Sequence, residues 1–158
     1  MKILNELAIL LLDYNKTLAT AESCTGGLLG YLFTKIPDCS KWYYGGIISY
    51  ATTAKTEILK ISKSLLSKYG TVSKEVTKQM ADHCQKKFKT DYAIAVTGFA
   101  GPTSDNNVKI GTVFIAIANP ALKTTVSEFL FSGDRETIRK KIAKQAIQLL
   151  ILEIKNNS

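Results

Sequence analysis

Apolar residues recur at helical spacing in three long stretches of the chain. The first lies at the amino terminus, where the apolar positions are Ile3, Leu4, Leu7, Leu10 and Leu11. The second follows Ser73, a favourable helix N-cap, and its apolar positions are Val76, Met80, Cys84 and Phe88. The third follows Asp134, and its apolar positions are Ile138, Ile142, Ala146, Leu149 and Leu150. Because residues three and four apart share a helix face, each stretch predicts an amphipathic helix.

Strand-like runs alternate with these helices. Three such runs cover 17–22, 46–51 and 92–97, and the last is almost continuously apolar, as is typical of a strand covered on both faces. Shorter helices are predicted over 28–36, from Thr52 or Thr53 to 62, and over 64–69. The runs 111–118 and 124–131 have no helix between them, which indicates a hairpin. This alternation, with one late hairpin, predicts an α/β layered domain with a mixed sheet.

Composition sets the size and the class of protein. With 158 residues and 46% hydrophobic residues, the chain predicts one globular domain over 1–158 and argues against disorder. The formal net charge of +8 suggests an anionic partner, which could be nucleic acid, a membrane surface or a small phosphorylated molecule. Only Arg135 and Arg139 among the 21 basic residues are arginine. Since arginine forks usually read bases and phosphates, this balance weakens the nucleic-acid interpretation.

The cysteines and the histidine exclude a zinc site of usual spacing. Cys24, Cys39 and Cys84 are widely separated, and His83 is the only histidine. We therefore expect no metal and a reducing compartment. The amino-terminal apolar stretch is broken by Glu6 and Asp13, and no run approaches the length of a membrane span. The sequence thus predicts a soluble, cytoplasmic protein that does not bind membranes.

Hydroxyl, thiol and glycine residues meet where the first strand gives way to a helix. In the segment 20–27 (TAESCTGG), Ser23 is a possible nucleophile, and backbone N–H groups at a helix start favour oxyanions and phosphates. The alternative is an ordinary capped turn between strand and helix. Cys24 is a second possible nucleophile, although a small buried hydrophobe is the preferred interpretation.

A serine nucleophile needs a base. His83 lies in the middle of a predicted helix, so a Ser-His-Asp triad depends on one poorly placed residue. Lys55 is the best-placed lysine, because it follows a strand end and falls in the first turn of a helix, where the dipole disfavours the ammonium form. Tyr50 could orient it or relay a proton. A solvated surface lysine is the alternative.

Two further loops complete the set of candidate site residues. The segment 97–102 (TGFAGP) follows a buried strand and suggests a pocket wall lined by backbone, although it is also simply turn-like. Arg135 stands at the start of the last helix, where it is either a phosphate clamp or part of a surface turn. Glu22 is a possible structural partner for one of the cations.

Five segments in fixed order resemble one family. They are AESCTGG (21–27), SYATTAK (49–55), TGFAGP (97–102), GTV (111–113) and FSGDR (131–135). The sequence is similar to the CinA C-terminal domain family, whose enzymatically characterised members are nicotinamide-nucleotide amidases. The resemblance covers nearly the whole chain and implies a three-layer α/β/α sandwich with a mixed, mostly parallel sheet. Many members carry a second, amino-terminal pyrophosphatase-type domain; the 158 residues here resemble only the carboxy-terminal domain, so we expect a standalone form.

The resemblance also implies an activity and a set of roles. The reaction is metal-independent hydrolysis of nicotinamide mononucleotide to nicotinate mononucleotide and ammonia, without a cofactor. Ser23 would be the nucleophile, Lys55 the base and Tyr50 a supporting residue. The residues expected to bind substrate are Thr25, Gly26, Gly27, Thr97, Gly98, Ala100, Gly101 and Arg135. The chain departs from the family pattern at Thr52, where many active members carry asparagine, and in the loop 103–110, which lacks the usual glycine pair and Lys-Pro.

Two other functions compete with the amidase interpretation. The altered 103–110 loop is compatible with an inactive nucleotide-binding or interaction domain linked to competence or DNA damage. A nucleic-acid binder ranks last, because no motif combines aromatic and basic residues into a binding platform. The expected partners are therefore a small nucleotide substrate and further copies of this chain, as a dimer or higher homo-oligomer, with no specific nucleic acid.

Overall fold

A five-stranded sheet lies at the centre of the molecule. The computed structural model describes residues 1–105 and 107–157. The strands are β1 (Leu18–Glu22), β2 (Tyr43–Ile48), β3 (Tyr92–Gly98), β4 (Thr112–Ala118) and β5 (Thr124–Leu130). Their order across the sheet is β2-β1-β3-β4-β5. Parallel pairing joins β1 to β2 and to β3, and antiparallel pairing joins β4 to β3 and to β5. Of these five strands, four therefore point the same way and β4 opposes them.

Helices cover both faces of this sheet. They are α1 (Lys2–Asp13), α2 (Leu28–Thr34), α3 (Thr52–Glu57), α4 (Lys63–Tyr69), α5 (Lys74–Phe88) and α6 (Arg135–Asn156). One face packs against α1, α2 and α6, and the other packs against α5, which in turn contacts α4. The fold class expected from the sequence, a three-layer α/β/α arrangement with a mixed sheet, is confirmed.

Side-chain size differs between the two faces of the sheet. Along β3, Ile94 and Val96 point to the face covered by α1 and α6, whereas Ala93 and Ala95 point to α5. All four are fully buried. Burial of each larger aliphatic side chain stabilises the fold by about 1.5–3 kcal/mol, so the face that carries them contributes most per residue. The alanines instead leave room for the backbone of α5 close to the sheet.

The two helix N-caps expected from the sequence are confirmed. The hydroxyl of Ser73 accepts a hydrogen bond from the backbone N–H of Val76 at 3.3 Å. The carboxylate of Asp134 accepts one from the N–H of Thr137 at 2.7 Å. Each cap satisfies a donor that the first turn of its helix leaves unpaired. The hairpin expected over 111–131 is confirmed as well, because β4 and β5 pair from Thr112 opposite Leu130 to Ala118 opposite Thr124.

Strand β2 begins earlier than the sequence predicts. It covers Tyr43–Ile48 instead of 46–51, and a single 3₁₀ turn (Cys39–Lys41) that the sequence did not indicate precedes it. The prediction left out Tyr43, Tyr44 and Gly45, and glycine usually weakens or interrupts strands. Gly46, which the prediction included, permits close packing, because a Cβ at this position would overlap Thr20 Oγ1. Residues 49–51 instead connect β2 to α3.

Helix α3 is shorter than predicted. It ends at Glu57, whereas the apolar pattern extends to 62. Lys60 has a φ of 57°, a left-handed conformation that an α-helix cannot contain. The consequence is a compact turn after α3, in which the backbone N–H of Ile61 donates to Lys55 O at 3.0 Å. This turn ties down the helix that carries Lys55.

The parallel strands bring the predicted site residues to one edge of the sheet. Ser23 follows β1, Lys55 follows β2 by one short connection, and Gly98 ends β3. Because β1 lies between β2 and β3, the three carboxyl ends are adjacent, which is where open α/β sheets place their ligands. No helix within residues 1–105 and 107–157 is long and apolar enough to cross a membrane.

Candidate active site

Ser23 occupies the first position after β1. Its backbone N–H donates to Val96 O of the neighbouring strand at 3.1 Å, and its carbonyl accepts from the Gly26 N–H at 3.0 Å. These two bonds fix the residue between strand and turn. Only 8% of Ser23 is exposed, and its side chain lines a cavity. The serine is therefore held by its backbone while its hydroxyl faces an accessible space.

Lys55 reaches Ser23 from α3. Its Nζ lies 3.0 Å from Ser23 Oγ and 2.5 Å from the carbonyl oxygen of Ser49. Ser49 is itself fixed by its N–H, which donates to Glu22 O at 2.8 Å. Two strand ends therefore define the position of the amine. A neutral lysine can donate to Ser49 O and accept the Ser23 proton at the same time.

Burial governs the acid–base behaviour of Lys55. The residue is 2% exposed, and none of the ion pairs among the described residues includes it. Desolvation lowers the pKa of the Lys55 ammonium from 10.5 to about 8, against a smaller opposing effect of the Cys24 thiol. The sequence predicts Lys55 in the first turn of a longer helix, whereas it lies in the last turn of the six-residue α3.

Tyr50 and Arg135 form the outer part of the same cavity. The Arg135 guanidinium donates to Tyr50 Oη at 2.7 Å and to Gly101 O at 2.5 Å. It thereby joins the connection after β2, the loop after β3 and the start of α6. Tyr50 is 57% exposed, whereas Lys55 is buried. The arginine has five N–H donors, so these two bonds leave donors for a ligand in the cavity.

The cavity has a volume of about 310 Å³ and an open mouth. Its lining comprises Ser23, Cys24, Tyr50, Thr52, Lys55, Thr71, Val72, Thr97, Gly98, Phe99, Ala100, Gly101, Thr103, Ser104, Asp105 and Arg135. Eight of the eleven site residues predicted from the sequence line this cavity. A space of this size falls at the lower end of the range of small-molecule sites. Among the described residues, no cluster of three or more His, Cys, Asp or Glu side chains could hold a metal.

Thr25, Gly26 and Gly27 do not line the cavity, in contrast to the prediction. The Thr25 hydroxyl and the Gly27 N–H donate to the Glu22 carboxylate at 2.7 and 3.0 Å, and the Gly26 N–H donates to Ser23 O. These groups are therefore engaged within the turn and are not free to hold an oxyanion. The interpretation of Glu22 as the partner of a cation is wrong as well, because its carboxylate accepts from this turn instead.

The alternative nucleophile and base are not placed for catalysis. Cys24 is 5% exposed, and burial raises the pKa of its thiol from 9.0 to about 12, which disfavours the reactive thiolate. His83 lies on α5, where its Nδ1 is 2.7 Å from Leu59 O, and it is not part of the cavity lining. The geometry therefore supports the pair of Ser23 and Lys55 over a pair that includes Cys24 or His83.

The sequence did not indicate the contribution of the loop before α5. Thr71 and Val72 line the cavity, and the buried Thr97 hydroxyl donates to Thr71 O at 3.0 Å. This contact joins positions 26 residues apart, so no local pattern could have revealed it. Because the Thr97 hydroxyl already donates its hydrogen bond to Thr71 O, its oxygen can only accept hydrogen bonds from a ligand.

The loop that departs from the family pattern also lines the cavity. Thr103, Ser104 and Asp105 contribute to the wall, and the Ser104 hydroxyl donates to Val108 O at 2.5 Å. The Val108 N–H donates in turn to Asp105 O at 3.1 Å, which closes the loop on itself. Asn106, part of the departure 103–110, lies outside the described residues. Thr52, the other departure, lies at the same cavity.

Fold and cavity together define a layered α/β protein with a buried serine–lysine pair at the ends of parallel strands. Residues 1–154 match the family model of the CinA C-terminal domain, and the chain belongs to that family. The family expected from the five motifs is thus confirmed.

Relatives of known sequence carry the same domain. A CinA-like protein of Flavobacterium psychrophilum is 44% identical over 153 residues, which cover 96% of this chain and 36% of the relative. A putative competence-damage inducible protein of Acetivibrio thermocellus is 41% identical over 144 residues, with 90% and 35% covered. The chain therefore spans a little over a third of the length of these curated relatives.

Solved structures of similar proteins have the same fold. The competence damage-inducible protein A of Klebsiella pneumoniae superposes with a TM-score of 0.95 at 29% identity, over 98% of this chain and 96% of that one. A competence-damaged protein (CinA) superfamily protein of Escherichia coli gives a TM-score of 0.91 at 32% identity, over 95% and 88%.

Proposed function

We propose that this protein hydrolyses the carboxamide of nicotinamide mononucleotide to give nicotinate mononucleotide and ammonia. The proposal depends above all on one observation, the 3.0 Å contact between Ser23 Oγ and Lys55 Nζ, two buried side chains that line an open cavity. A buried lysine with a lowered pKa beside a serine hydroxyl is the arrangement that serine–lysine hydrolases use. Family membership favours this substrate, since characterised members of the resembled family are nicotinamide-nucleotide amidases.

The reaction begins with proton transfer from Ser23 to neutral Lys55. The serine oxygen attacks the carboxamide carbon and forms a tetrahedral intermediate with a negative oxygen. When the C–N bond breaks, protonated Lys55 gives its proton to the leaving nitrogen, which departs as ammonia. Water then attacks the resulting ester with Lys55 again as base, and the proton returns to Ser23 Oγ. The acid product leaves and Lys55 is neutral again.

The oxyanion needs backbone N–H donors that line the cavity and do not already make hydrogen bonds within the protein. Those of Ser23 and Phe99 already donate to Val96 O and Thr112 O. The candidates among the other lining residues are the backbone N–H groups of Cys24 and of the loop at Ala100 and Gly101. We place the oxyanion between these two backbone segments, where donors held by the fold need no reorganisation during the reaction.

The first test is an assay of the purified protein with nicotinamide mononucleotide and no added metal. Release of ammonia and the acid product in equal amounts, unchanged by a chelator, is the expected result. Calorimetric binding of the mononucleotide without product would instead favour a nucleotide-binding module. If neither binding nor product is detected, nicotinamide mononucleotide is excluded as the substrate.

The pH dependence of the reaction is expected to follow Lys55. Only the neutral amine accepts the serine proton, and burial places the pKa of this group at about 8. The kcat/KM value should therefore rise with pH through an apparent pKa near 8 and level off above it, with about a tenth of the plateau value at pH 7. Rates measured from pH 6 to 9.5 check this expectation. A plateau that already extends down to pH 6 would contradict Lys55 as the base.

Arg135 is expected to act on the phosphate of the substrate. Arg135→Gln removes the positive charge but keeps a side chain that can donate to Gly101 O. We expect KM for the mononucleotide to rise by about 10- to 100-fold, the loss expected for a charge-assisted hydrogen bond, with a smaller change in kcat. Hydrolysis of nicotinamide riboside, which lacks the phosphate, should be much less affected.

The matched control for this variant is Lys140→Gln. Lys140 lies on the same helix, is exposed, and interacts with Glu136 at 3.8 Å outside the cavity. The substitution removes the same charge from the molecule, so a change in long-range attraction would affect both variants. Equal KM values in the two variants would exclude a specific phosphate contact of Arg135.

A further inference from the structure

A buried carboxylate organises the turn that follows Ser23. Glu22 is 2% exposed, and its Oε2 accepts hydrogen bonds from the Thr25 hydroxyl at 2.7 Å and from the N–H groups of Gly27 and Leu29 at 3.0 and 3.1 Å. Its Oε1 accepts from the Gly30 N–H at 2.9 Å. All four donors belong to residues 25–30. One side chain therefore ties the end of β1 to the turn and to the first residues of α2.

No cation shares this carboxylate. None of the ion pairs among the described residues includes Glu22. A buried charge is costly unless hydrogen bonds replace its water, and four donors around two oxygens meet that requirement. Gly27, which precedes α2, provides no side-chain cap of its own. The carboxylate thus does for α2 what Ser73 does for α5, although it comes from the strand before the turn.

We propose that Glu22 is a positioning residue for the nucleophile. By holding residues 25–30, its carboxylate holds the turn whose Gly26 N–H binds Ser23 O at 3.0 Å. Ser23 is thereby fixed on both sides, by β3 through Val96 and by this turn, with its hydroxyl directed at Lys55. The inference rests on the proposed function in so far as Ser23 is the nucleophile, but it does not depend on the identity of the amide.

The same hydrogen bonds keep the carboxylate away from the base. A carboxylate paired with Lys55 would favour the ammonium form and raise its pKa. Both oxygens of Glu22 are instead directed at donors of the turn and α2, and the groups within reach of Lys55 Nζ are the Ser23 hydroxyl and the Ser49 carbonyl. The chain therefore carries a carboxylate one residue from the nucleophile without losing the neutral lysine.

Glu22→Gln tests this role. Glutamine keeps the size and one acceptor oxygen, but its NH₂ group must face one of the N–H donors, which displaces the turn. We expect the rate of Ser23 labelling by a fluorophosphonate, a probe for activated serines, to fall by about 10- to 100-fold, the range expected for a displacement of up to about 1 Å. The value of kcat per labelled site should fall by a similar factor, with KM unchanged.

The pH profile distinguishes positioning from an electrostatic effect on Lys55. Because Glu22 is not the counter-ion of Lys55, the acid limb of the Glu22→Gln profile should remain near pH 8, as in the unchanged protein. A shift of that limb by more than half a pH unit would contradict the proposal, since it would mean that the carboxylate acts directly on the lysine.

Ser62→Ala is the matched control for a lost helix cap. The Ser62 hydroxyl accepts from the Leu65 N–H at the start of α4, and the residue does not line the cavity. This variant should have a lower Tm, with labelling rate and kcat per site unchanged. If Glu22→Gln behaves in the same way, with fewer labelled sites but normal rates at each, Glu22 has a structural role only and the proposal is overturned.

A milder variant covers the case in which Glu22→Gln does not fold. Thr25→Val removes one of the four donors and keeps the shape of the side chain, so the labelling rate should fall by up to about 10-fold, as expected for one hydrogen bond. An unchanged rate would overturn the proposal. Labelling of the unchanged protein without hydrolysis of the mononucleotide would reject the proposed substrate only. Absence of any labelling at Ser23 would reject both.

Discussion

Ser23→Ala is expected to reduce kcat for nicotinamide mononucleotide by at least about 10⁴-fold, because it removes the only atom proposed to form the covalent bond. The folded structure should persist, since Ser23 is held by backbone hydrogen bonds to Val96 and Gly26 that the substitution leaves in place. Binding of the mononucleotide, measured by calorimetry on the inactive variant, should remain within a few-fold of the KM value. Ammonia release and formation of the acid product report the loss of activity.

Two neighbouring substitutions serve as controls for Ser23→Ala. Ser104 is another serine of the cavity wall, and its hydroxyl donates to Val108 O, so Ser104→Ala should change the loop slightly and retain most of the activity. Cys24→Ala should also remain active, because burial keeps the thiol protonated. Loss of activity in Cys24→Ala together with near-normal turnover by Ser23→Ala would assign the nucleophile to the thiol.

Lys55→Met is expected to lower kcat by about 10³-fold, within the range for removal of a general base. Methionine fills a similar volume, so the buried site remains packed. Lys55→Arg serves as the comparison, because the guanidinium keeps a charge and hydrogen-bond donors but does not accept a proton at neutral pH. Both variants should be inactive. Substantial activity of Lys55→Arg would show that a positive charge, and not a base, is required beside Ser23.

The same substitution has an effect on stability that depends on pH. The pKa of Lys55 is about 8 in the folded protein and 10.5 in the unfolded chain. Below pH 8 both states hold the proton and the folded state carries the full cost of a buried ammonium, about 3 kcal/mol at about 1.4 kcal/mol per pKa unit. Between pH 8 and 10.5 the unfolded state binds more protons, so this cost is relieved and stability rises with pH.

Urea unfolding of both proteins from pH 7 to 10 measures this effect. Lys55→Met has no such titration, so the unfolding free energy of the unchanged protein should rise relative to that of the variant by about 2.5 kcal/mol over this range. The raised pKa values of Cys84 and Tyr43 act in the opposite direction, but these groups are present in both proteins. A difference independent of pH would mean that Lys55 titrates normally in the folded state.

The sequence predicts the elements that carry the site because each depends on local patterns. Ser23 is recognisable at the junction of a strand and a turn, and Lys55 follows at the start of a helix after the next strand. Parallel strands then bring both to one edge of the sheet. The contact between Ser23 and Lys55 is a consequence of this topology, and so the pair could be proposed before the structure was known.

Prediction from the sequence fails where a structural feature depends on packing between distant segments of the chain. Whether an N–H of the Ser23 turn is free depends on the orientation of the Glu22 side chain, which the order of residues does not determine. The approach of Thr71 to Thr97 and the burial of Lys55 likewise depend on how distant segments pack. The start of β2 at Tyr43 likewise depends on a distant segment, because Tyr43 pairs with Leu18 of β1.

Strand β4 runs antiparallel to β3, and this reversal affects which parts of the sequence can vary during evolution. It returns the loop after β3 to the edge of the sheet where Ser23 lies, and the ends of that loop are tied together by bonds of Phe99 to Thr112 and of Gly111 to Phe99. Within this loop, residues 103–110 can be replaced, lengthened or shortened while the strands stay in register and Ala100 and Gly101 keep their proposed role. Ser23 and Lys55 lie outside this loop, directly after β1 and on α3. Substrate range can therefore evolve in one segment while the reaction itself is preserved in another.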